Sequence, residues 1–308
     1  MDFKNLPELI RYFSDEKTAW DYLELQKWDG TPTCPHCGST KAYRLKEGPN
    51  FKCGNWECDW KFNAKVGSIF ENSKVPLSKW YAAIYIATAH KKGISSHQLA
   101  RDLGVTQKTG WFMLHRIREL ARVNNDVELS DTIQVDETYV KGKMANKSKR
   151  NRALIRDGLK EDVTTIVLGG VENGGKGFLR VIPNTMHETV KPIIQEMATD
   201  AGTVLVTDSS NIYNGMDRIY TAHITVNHSI DEYVRDGYHT NQVEGFFSLL
   251  KRGIIGIYHS TSPKHLQRYC DEFSYRYNTR KIKDADRFRQ TMQKTEGRLT
   301  YARLIEKD

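Results

Sequence analysis

From Asp131 to Val226 the chain reads as three strands in succession, then a helix, then two more strands. That order narrows the fold more than any other feature. "DTIQVDETYV" alternates, with Ile133 and Val135 on one face and Gln134 and Asp136 on the other, so Glu137 points away from Asp136 and reads as a bystander or a supporting residue. "TTIVLGGVE" and "GFLRVIP" follow, joined by the hairpin turn "ENGGKG". "HETVKPIIQEMATD" is a helix with Val190, Ile193, Ile194 and Met197 inward. "GTVLVTDSS" is a buried strand ending in Asp208, and "HITVNHS" is another short strand.

The next helix, "NQVEGFFSLLKRG", buries Val243, Phe246, Phe247, Leu249 and Leu250. It also carries Glu244 and Lys251 seven residues apart, two turns along one face and too far for an i,i+4 ion pair. In this topology the first and fourth strands are neighbours, so Asp136 and Asp208 can lie side by side, with Glu244 brought to the same point by its helix. Three carboxylates without basic partners repel one another strongly. Two Mg2+ (or Mn2+) ions about 3.5–4 Å apart relieve this, and such a pair drives phosphoryl transfer. A helix that holds an acid and a base on one line in this way could serve a site with both a metal and a phosphate.

Upstream, residues 5 to 28 read as mostly helical, with Ser14 as a cap and Ala19, Trp20 and Leu23 on one side. Cys34, Cys37, Cys53 and Cys58 then form C-x2-C-x15-C-x4-C in a segment without enough apolar residues for its own core. This is the pattern of a structural, four-ligand Zn2+ site. His36 lies inside the knuckle, where a further ligand would crowd its neighbours, and reads as a surface residue. Cys270 stands alone with Phe273 and Tyr277 and reads as core.

Three helical pieces follow, Leu77 to His90, Ser96 to Leu103 and Thr106 to Arg122. The last two have helix-turn-helix grammar: Ser95 or Ser96 caps, Ala100 is small at a crossing, Gly104 turns and Thr106 caps again. Gln107, Lys108 and Thr109 would then face DNA, with Phe112, Met113 and Ile117 toward the core. An ordinary helical hairpin is the alternative. "KGKMANKSKRNR" at 141–152 is basic and almost devoid of large apolar residues, and reads as a mobile loop. It either clamps a DNA backbone through Lys141, Lys143, Lys147, Lys149 and Arg150 or is simply solvated.

The 308 residues carry a formal charge of +8, which suits a polyanionic partner. The longest apolar run, residues 80–89, is about half of a membrane span. "MDFKNLPELIRYF" carries acids and lacks a small-residue cleavage site, and five cysteines form no even framework, so a reduced cytosolic protein is expected.

Taken together, "WDG" before "CPHCGS", "QVDETYVKGK", "VTDSSNIY", "VNHS", "HTNQVEGFFSLLKRGIIGIYH" and "HLQRYCDEFSYRYN" resemble the DDE transposases of bacterial insertion sequences, in the zinc-ribbon-containing ISXO-two-like group. The matching stretches span residues 28 to 278 in a shared order and spacing. The resemblance implies an RNase H-like mixed-sheet catalytic domain, preceded by the zinc ribbon and the helix-turn-helix segment. It implies Asp136, Asp208 and Glu244 as metal ligands, with Asn241 the alternative third residue. Lys251 would lie on DNA phosphate with Arg252 beside it, and His228 near the site. His228 and His239 would either orient a carboxylate or phosphate or be ordinary structural histidines.

The expected organisation is 1–65 for the N-terminal helix and ribbon, 75–125 for the helix-turn-helix, 130–290 for the catalytic domain and 291–308 for a tail. The expected activity is binding of terminal inverted repeats, strand cleavage, and joining of the 3′-OH to target DNA, by an oligomer on DNA in the cytoplasm at the nucleoid. A non-catalytic DNA-binding regulator and a structure-selective nuclease of the same fold are the rival readings.

Overall fold

The computed structural model describes residues 3–142, 144, 147–159, 161–227 and 234–306. His228 and Lys143 lie outside the described residues. The chain divides into two units, Met1–Asn124 with Lys281–Asp308, and Asn125–Arg280.

In the first unit the opening helical stretch is two helices. α1 (Leu6–Tyr12) starts at Asn5, whose side chain accepts from the Glu8 amide at 3.0 Å, and α2 (Glu16–Trp28) starts at Asp15. The α2 cap is Asp15 rather than the expected Ser14, because the Asp15 carboxylate accepts from both the Lys17 and Thr18 amides. A carboxylate at a helix N-terminus also meets the positive end of the helix dipole. α2 stops where Asp29 turns left-handed at φ 44°.

The ribbon follows as β1 (Ala42–Arg44), β2 (Phe51–Cys53) and β3 (Lys61–Phe62), all antiparallel. α3 (Leu77–Ala89) is buried along nearly its whole length, as its all-round apolar sequence demands. Its first amides are capped from α2, where the Glu16 carboxylate accepts from Leu77 N at 2.7 Å and Ser78 N at 3.2 Å.

α4 (Ser96–Leu103) and α5 (Gln107–Val123) have the caps that the sequence anticipates. Ser95 accepts from Gln98 N, Thr106 accepts from Thr109 N, and Gly104 takes φ 61° between the helices. Gly110 is the contact at their crossing. A Cβ there would come within 2.9 Å of the Ser96 carbonyl, so only glycine allows this approach. Phe112 does not enter the core as expected; it is half-buried, with its ring 5.6 Å from that of Tyr301.

In the second unit, β4 (Thr132–Val140), β5 (Thr165–Glu172), β6 (Gly177–Ile182), β7 (Val204–Asp208) and β8 (Ala222–Val226) form one mixed sheet in the order β6-β5-β4-β7-β8. β4 pairs antiparallel with β5 and parallel with β7, and β8 extends the parallel side. Between β4 and β5, part of the expected mobile loop is instead helix α6 (Lys149–Arg156), capped by Ser148. α7 (His187–Met197) covers one face with Val190 and Ile194 against Ile133, Val135 and Leu205. α8 (Asn241–Gly253) and α9 (Pro263–Asn278) cover the other, packing Val243, Phe246, Phe247, Leu250 and Phe273 on Val167, Val171 and Leu179. Cys270 is buried in this second cluster, as anticipated.

The edge strand β6 would otherwise expose backbone donors, a hazard for sheet edges. On α9, Gln267 accepts from Val181 N and Asn278 accepts from Gly177 N, both at 2.7 Å.

The closing segment carries α10 (Asp284–Thr291) and α11 (Tyr301–Ile305). Ala285, Phe288 and Met292 belong to the first unit's core, where Phe288 meets Tyr81 at 6.0 Å. The sequence reading placed 281–290 with the sheet and left 291–308 as a tail. Its short apolar pattern gives no indication of which core it joins. Buried Arg116 on α5 helps to hold the segment, donating to the Leu299 and Ile69 carbonyls at 3.1 and 2.8 Å. Among the described residues no helix is long and apolar enough to cross a membrane.

Candidate functional site

Two clusters of metal-binding residue types stand out. In the ribbon, β2 delivers Cys53, and the turn closed by Gly38 N to the Cys34 carbonyl (2.9 Å) delivers Cys34 and Cys37. The four sulfurs all lie within 4.8 Å of one another, with Cys34–Cys58 at 3.8 Å and Cys37–Cys53 at 3.6 Å. A tetrahedron with metal–sulfur bonds of about 2.3 Å has edges of about 3.8 Å, so the quartet fits Zn2+ with no position left open.

Cys58 is pushed up to about 12 by burial and then by its neighbouring thiols, while a backbone N–H from Ser39 draws Cys37 down to about 7. His36 is exposed, as expected. Its Nδ1 sits 3.3 Å from Cys58 Sγ and its ring packs on Trp60 at 4.4 Å, so it supports a ligand rather than being one. Phe51 and Phe62 form the small core beneath.

The second cluster is acidic. β4 and β7 pair in parallel from Thr132–Val204 to Gln134–Val206, and Asp136 and Asp208 each lie two residues beyond that last pair. Gln134, Asp136, Thr138 and Val140 alternate onto the α8 face. α8 comes down closely there because Gly169, directly opposite Asp136 on β5, has no side chain: a Cβ would lie 2.5 Å from the Phe247 ring.

Asp136 is raised to about 7, first by burial and then by the charges of Glu137, Asp208 and Glu244, with the Glu137 amide pulling the other way. The largest charge effects on Asp136 thus come from acids. Each of the three expected ligands also keeps a local hydrogen bond. Asp136 Oδ1 accepts from Glu137 N at 2.8 Å, Asp208 Oδ1 from Ser210 N at 3.0 Å, and Glu244 Oε1 from the Thr240 hydroxyl at 3.2 Å. Among the described residues only the cysteines gather all their ligand atoms within 4.8 Å; the three acids are coupled through their field but stand more openly.

Glu137 lies on the opposite face, as its parity requires. It accepts from the buried Tyr213 hydroxyl at 2.8 Å, and burial raises its carboxyl.

Glu244 and Asn241 are both exposed on α8, with Lys251 half-buried and Arg252 exposed two turns further on. His239 lies beside Gln134, its Nδ1 3.4 Å from the amide nitrogen. Lys141 and Lys147 are not free cations: both pair with Asp162, Lys141 at 3.0 Å. Lys149 and Arg150 are exposed at the start of α6. In the first unit Gln107 donates to Ser96 Oγ at 2.9 Å, the Lys108 ammonium lies 4.6 Å from the Tyr301 ring centre, and Thr109 meets the Thr106 hydroxyl at 2.9 Å.

The sequence reading passed over Gln134, Gly169 and Asp162. A polar residue at the centre of a strand, two positions before a candidate ligand, was the available signal for Gln134. Nothing local marked the other two, since each matters only through a residue distant in sequence.

Residues 128–278 match the model of the ISXO2-like transposase domain, and residues 14–59 match that of a transposase zinc-ribbon domain. The chain belongs to the ISXO2-like transposase family. The transposase domain thus begins just ahead of β4 and ends with α9, and the zinc-ribbon match contains all four cysteines. The chain is also similar to a Halobacterium salinarum protein described as an uncharacterized protein in transposable element ISH50, 27% identical over 282 residues, covering 87% of this chain and 92% of that one. Among solved structures it is similar to a chain of the crystal structure of a pre-cleavage Mos1 transpososome, at 12% identity and a TM-score of 0.25, covering 97% of this chain and 100% of that one.

Proposed function

We propose that this transposase binds the terminal inverted repeats of its own element, cuts DNA strands at the Asp136–Asp208–Glu244 cluster and joins the freed 3′-OH ends to target DNA. The observation that carries the reading is the effect of Asp208 and Glu244 on Asp136, three acids from two adjacent strands and a helix, with the largest charge effects on Asp136 coming from acids. Such a cluster calls for divalent cations, and carboxylate oxygen is the donor that Mg2+ or Mn2+ prefers. Two ions about 3.5–4 Å apart with ligands about 2.1 Å away need carboxylates spread over as much as about 8 Å, which suits acids arranged more openly than the cysteines. Divalent ions held there would supply charge neutralisation and Lewis-acid activation for phosphoryl transfer.

In this reading Asp136, Asp208 and Glu244 hold the ions, and Asn241 flanks Glu244 as the alternative third residue. Lys251, with Arg252, receives the phosphate beside the cut; its place on the α8 face that carries Glu244 supports this. His239 orients α8 through Gln134, and His228 keeps its place as a residue near phosphate. The strand order β6-β5-β4-β7-β8, with its antiparallel half and its parallel half, supports an RNase H-like domain. The tight α4–α5 crossing at Gly110 and the exposed Gln107 and Lys108, with half-buried Thr109 beside them, support a helix-turn-helix that reads the element ends together with the ribbon. Lys149 and Arg150 serve as backbone contacts. The working form is a homo-oligomer on double-stranded DNA, acting on the nucleoid in the cytoplasm.

The test is strand cleavage of duplex DNA taken from the element's ends, with Mg2+ or Mn2+. Asp136→Ala and Asp208→Ala should each abolish cleavage, and full activity in either would refute the assignment. Glu244→Gln against Asn241→Ala identifies the third ligand, and strand-transfer products separate a transposase from a simple nuclease.

A further inference from the structure

The helix that carries Glu244 is not capped by its own sequence. Thr240, at the N-cap of α8, makes no side-chain capping bond, and its hydroxyl turns to Glu244 instead. The amides of the first turn of a helix have no partner within the helix and must be met from elsewhere. Here the acceptor comes from β4. Gln134, only 2% exposed, accepts at Oε1 from Gln242 N at 2.9 Å and from Val243 N at 3.4 Å, across more than a hundred positions of sequence. The same turn is tied to the β5–β6 hairpin, since Gln242 Oε1 accepts from Gly174 N at 2.9 Å and its Nε2 donates to Asn173 Oδ1.

Gln134 stands two residues before Asp136 on the same strand face, about 6.7 Å away along the strand. The amides that it holds belong to the two residues immediately before Glu244. One side chain therefore links the phase and height of the α8 acid to the β4 acid. We infer that Gln134 is a positioning residue of the divalent-ion site, setting Glu244 against Asp136 by capping α8 from the neighbouring strand.

The residue type fits this task. Aspartate or glutamate would be a strong cap at the positive end of a helix, but would place another negative charge beside Asp136. Leucine would leave two amides without an acceptor. Glutamine supplies the acceptor without net charge, and its amide nitrogen faces His239.

The inference rests on the proposed ion site, so its test has one arm independent of catalysis. In the full-length protein, Gln134→Leu should lower hydrogen-exchange protection of the Gln242 and Val243 amides at least tenfold. It should also weaken Mn2+ binding, read from the electron paramagnetic resonance signal of free Mn2+, at least tenfold. Val190→Ala, which loosens the opposite face of the sheet, should leave both readings near wild type. Gln134→Glu, which keeps an acceptor, should restore the amide protection. Gln134→Asn keeps the amide but shortens its reach by one methylene, and should show both losses even where the leucine variant fails to fold.

Unchanged protection and unchanged Mn2+ affinity in the leucine and asparagine variants would overturn the inference, as would equal losses in Val190→Ala. If instead the wild-type protein shows no Mn2+ binding that Asp136→Ala removes, the ion-site reading fails, while the exchange arm still reports on the cap.

Discussion

Asp136→Asn should make the metal-free protein more stable at alkaline pH and should flatten its pH dependence. The Asp136 carboxyl rises from an ordinary 3.8 to about 7, because burial and three neighbouring acids oppose its charge. Since the folded value is the higher one, the folded state holds this proton more tightly than the unfolded chain does. That contribution to stability is complete below about pH 3.8 and is lost as pH rises through about 7. At about 1.4 kcal/mol per pH unit the full effect is about 4 kcal/mol, and partial exposure of the group reduces it to about 2–4.

Between pH 5 and pH 8, with EDTA present, wild type should lose about 1–2 kcal/mol relative to Asp136→Asn. The comparison with the variant removes the contributions of other titrating groups. Urea unfolding resolves the two units, because all six tryptophans, at 20, 28, 56, 60, 80 and 111, lie within Met1–Asn124. Tryptophan fluorescence thus reports the first unit, and circular dichroism change that fluorescence does not share reports Asn125–Arg280. Mg2+ added at pH 8 should restore the wild type and leave the asparagine variant unmoved. A stability difference between the two proteins that stays constant from pH 5 to pH 8, or grows in favour of wild type, would refute the reasoning.

Three further outcomes are expected. Cys37→Ser, or prolonged chelation, should release one Zn2+ per chain by colorimetric metal assay and expose the ribbon to proteolysis, because Phe51 and Phe62, with Trp28 packed on them, form too small a core. Gly169→Ala should cost about 1–3 kcal/mol in urea unfolding of the sheet unit, since its Cβ would lie 2.5 Å from the Phe247 ring and α8 must shift outward. Asp162→Asn should release Lys141 and Lys147 from their shared partner. It should tighten binding to random-sequence duplex at low salt and steepen the salt dependence by up to about 1.8 in log–log slope, as two added phosphate contacts require; an unchanged slope in fluorescence anisotropy would show that these lysines stay away from DNA.

What could be read from the sequence was whatever depends on short-range periodicity. The alternation in β4, the hairpin at 172–177, the caps at Ser95 and Thr106 and the left-handed turn at Gly104 follow from backbone chemistry within a few residues, and all are present. The cysteine quartet was legible for a related reason: four thiols in a segment too poor in apolar side chains to fold alone leave metal as the organising centre, and the sulfurs converge. The order of the strands was enough to make the first and fourth parallel neighbours, as β4 and β7 are.

Two departures are local: the Asp15 carboxylate reaches two amides at once and takes the capping place from Ser14, and the last four residues of the basic stretch 141–152 open α6, which buries no residue. Tertiary packing decided the rest. Phe288 and Met292 joined the first core, a choice of partner that no local pattern encodes. The site depends on packing in the same way. Gln134 caps a helix more than a hundred residues away, Gly169 matters because Phe247 lands on it, and Lys141 and Lys147 are tied by an aspartate beyond α6. Local sequence sets which conformations each segment favours. Which side chains then share a charge, a cap or a contact depends on distances that exist only once the sheet has brought remote segments together.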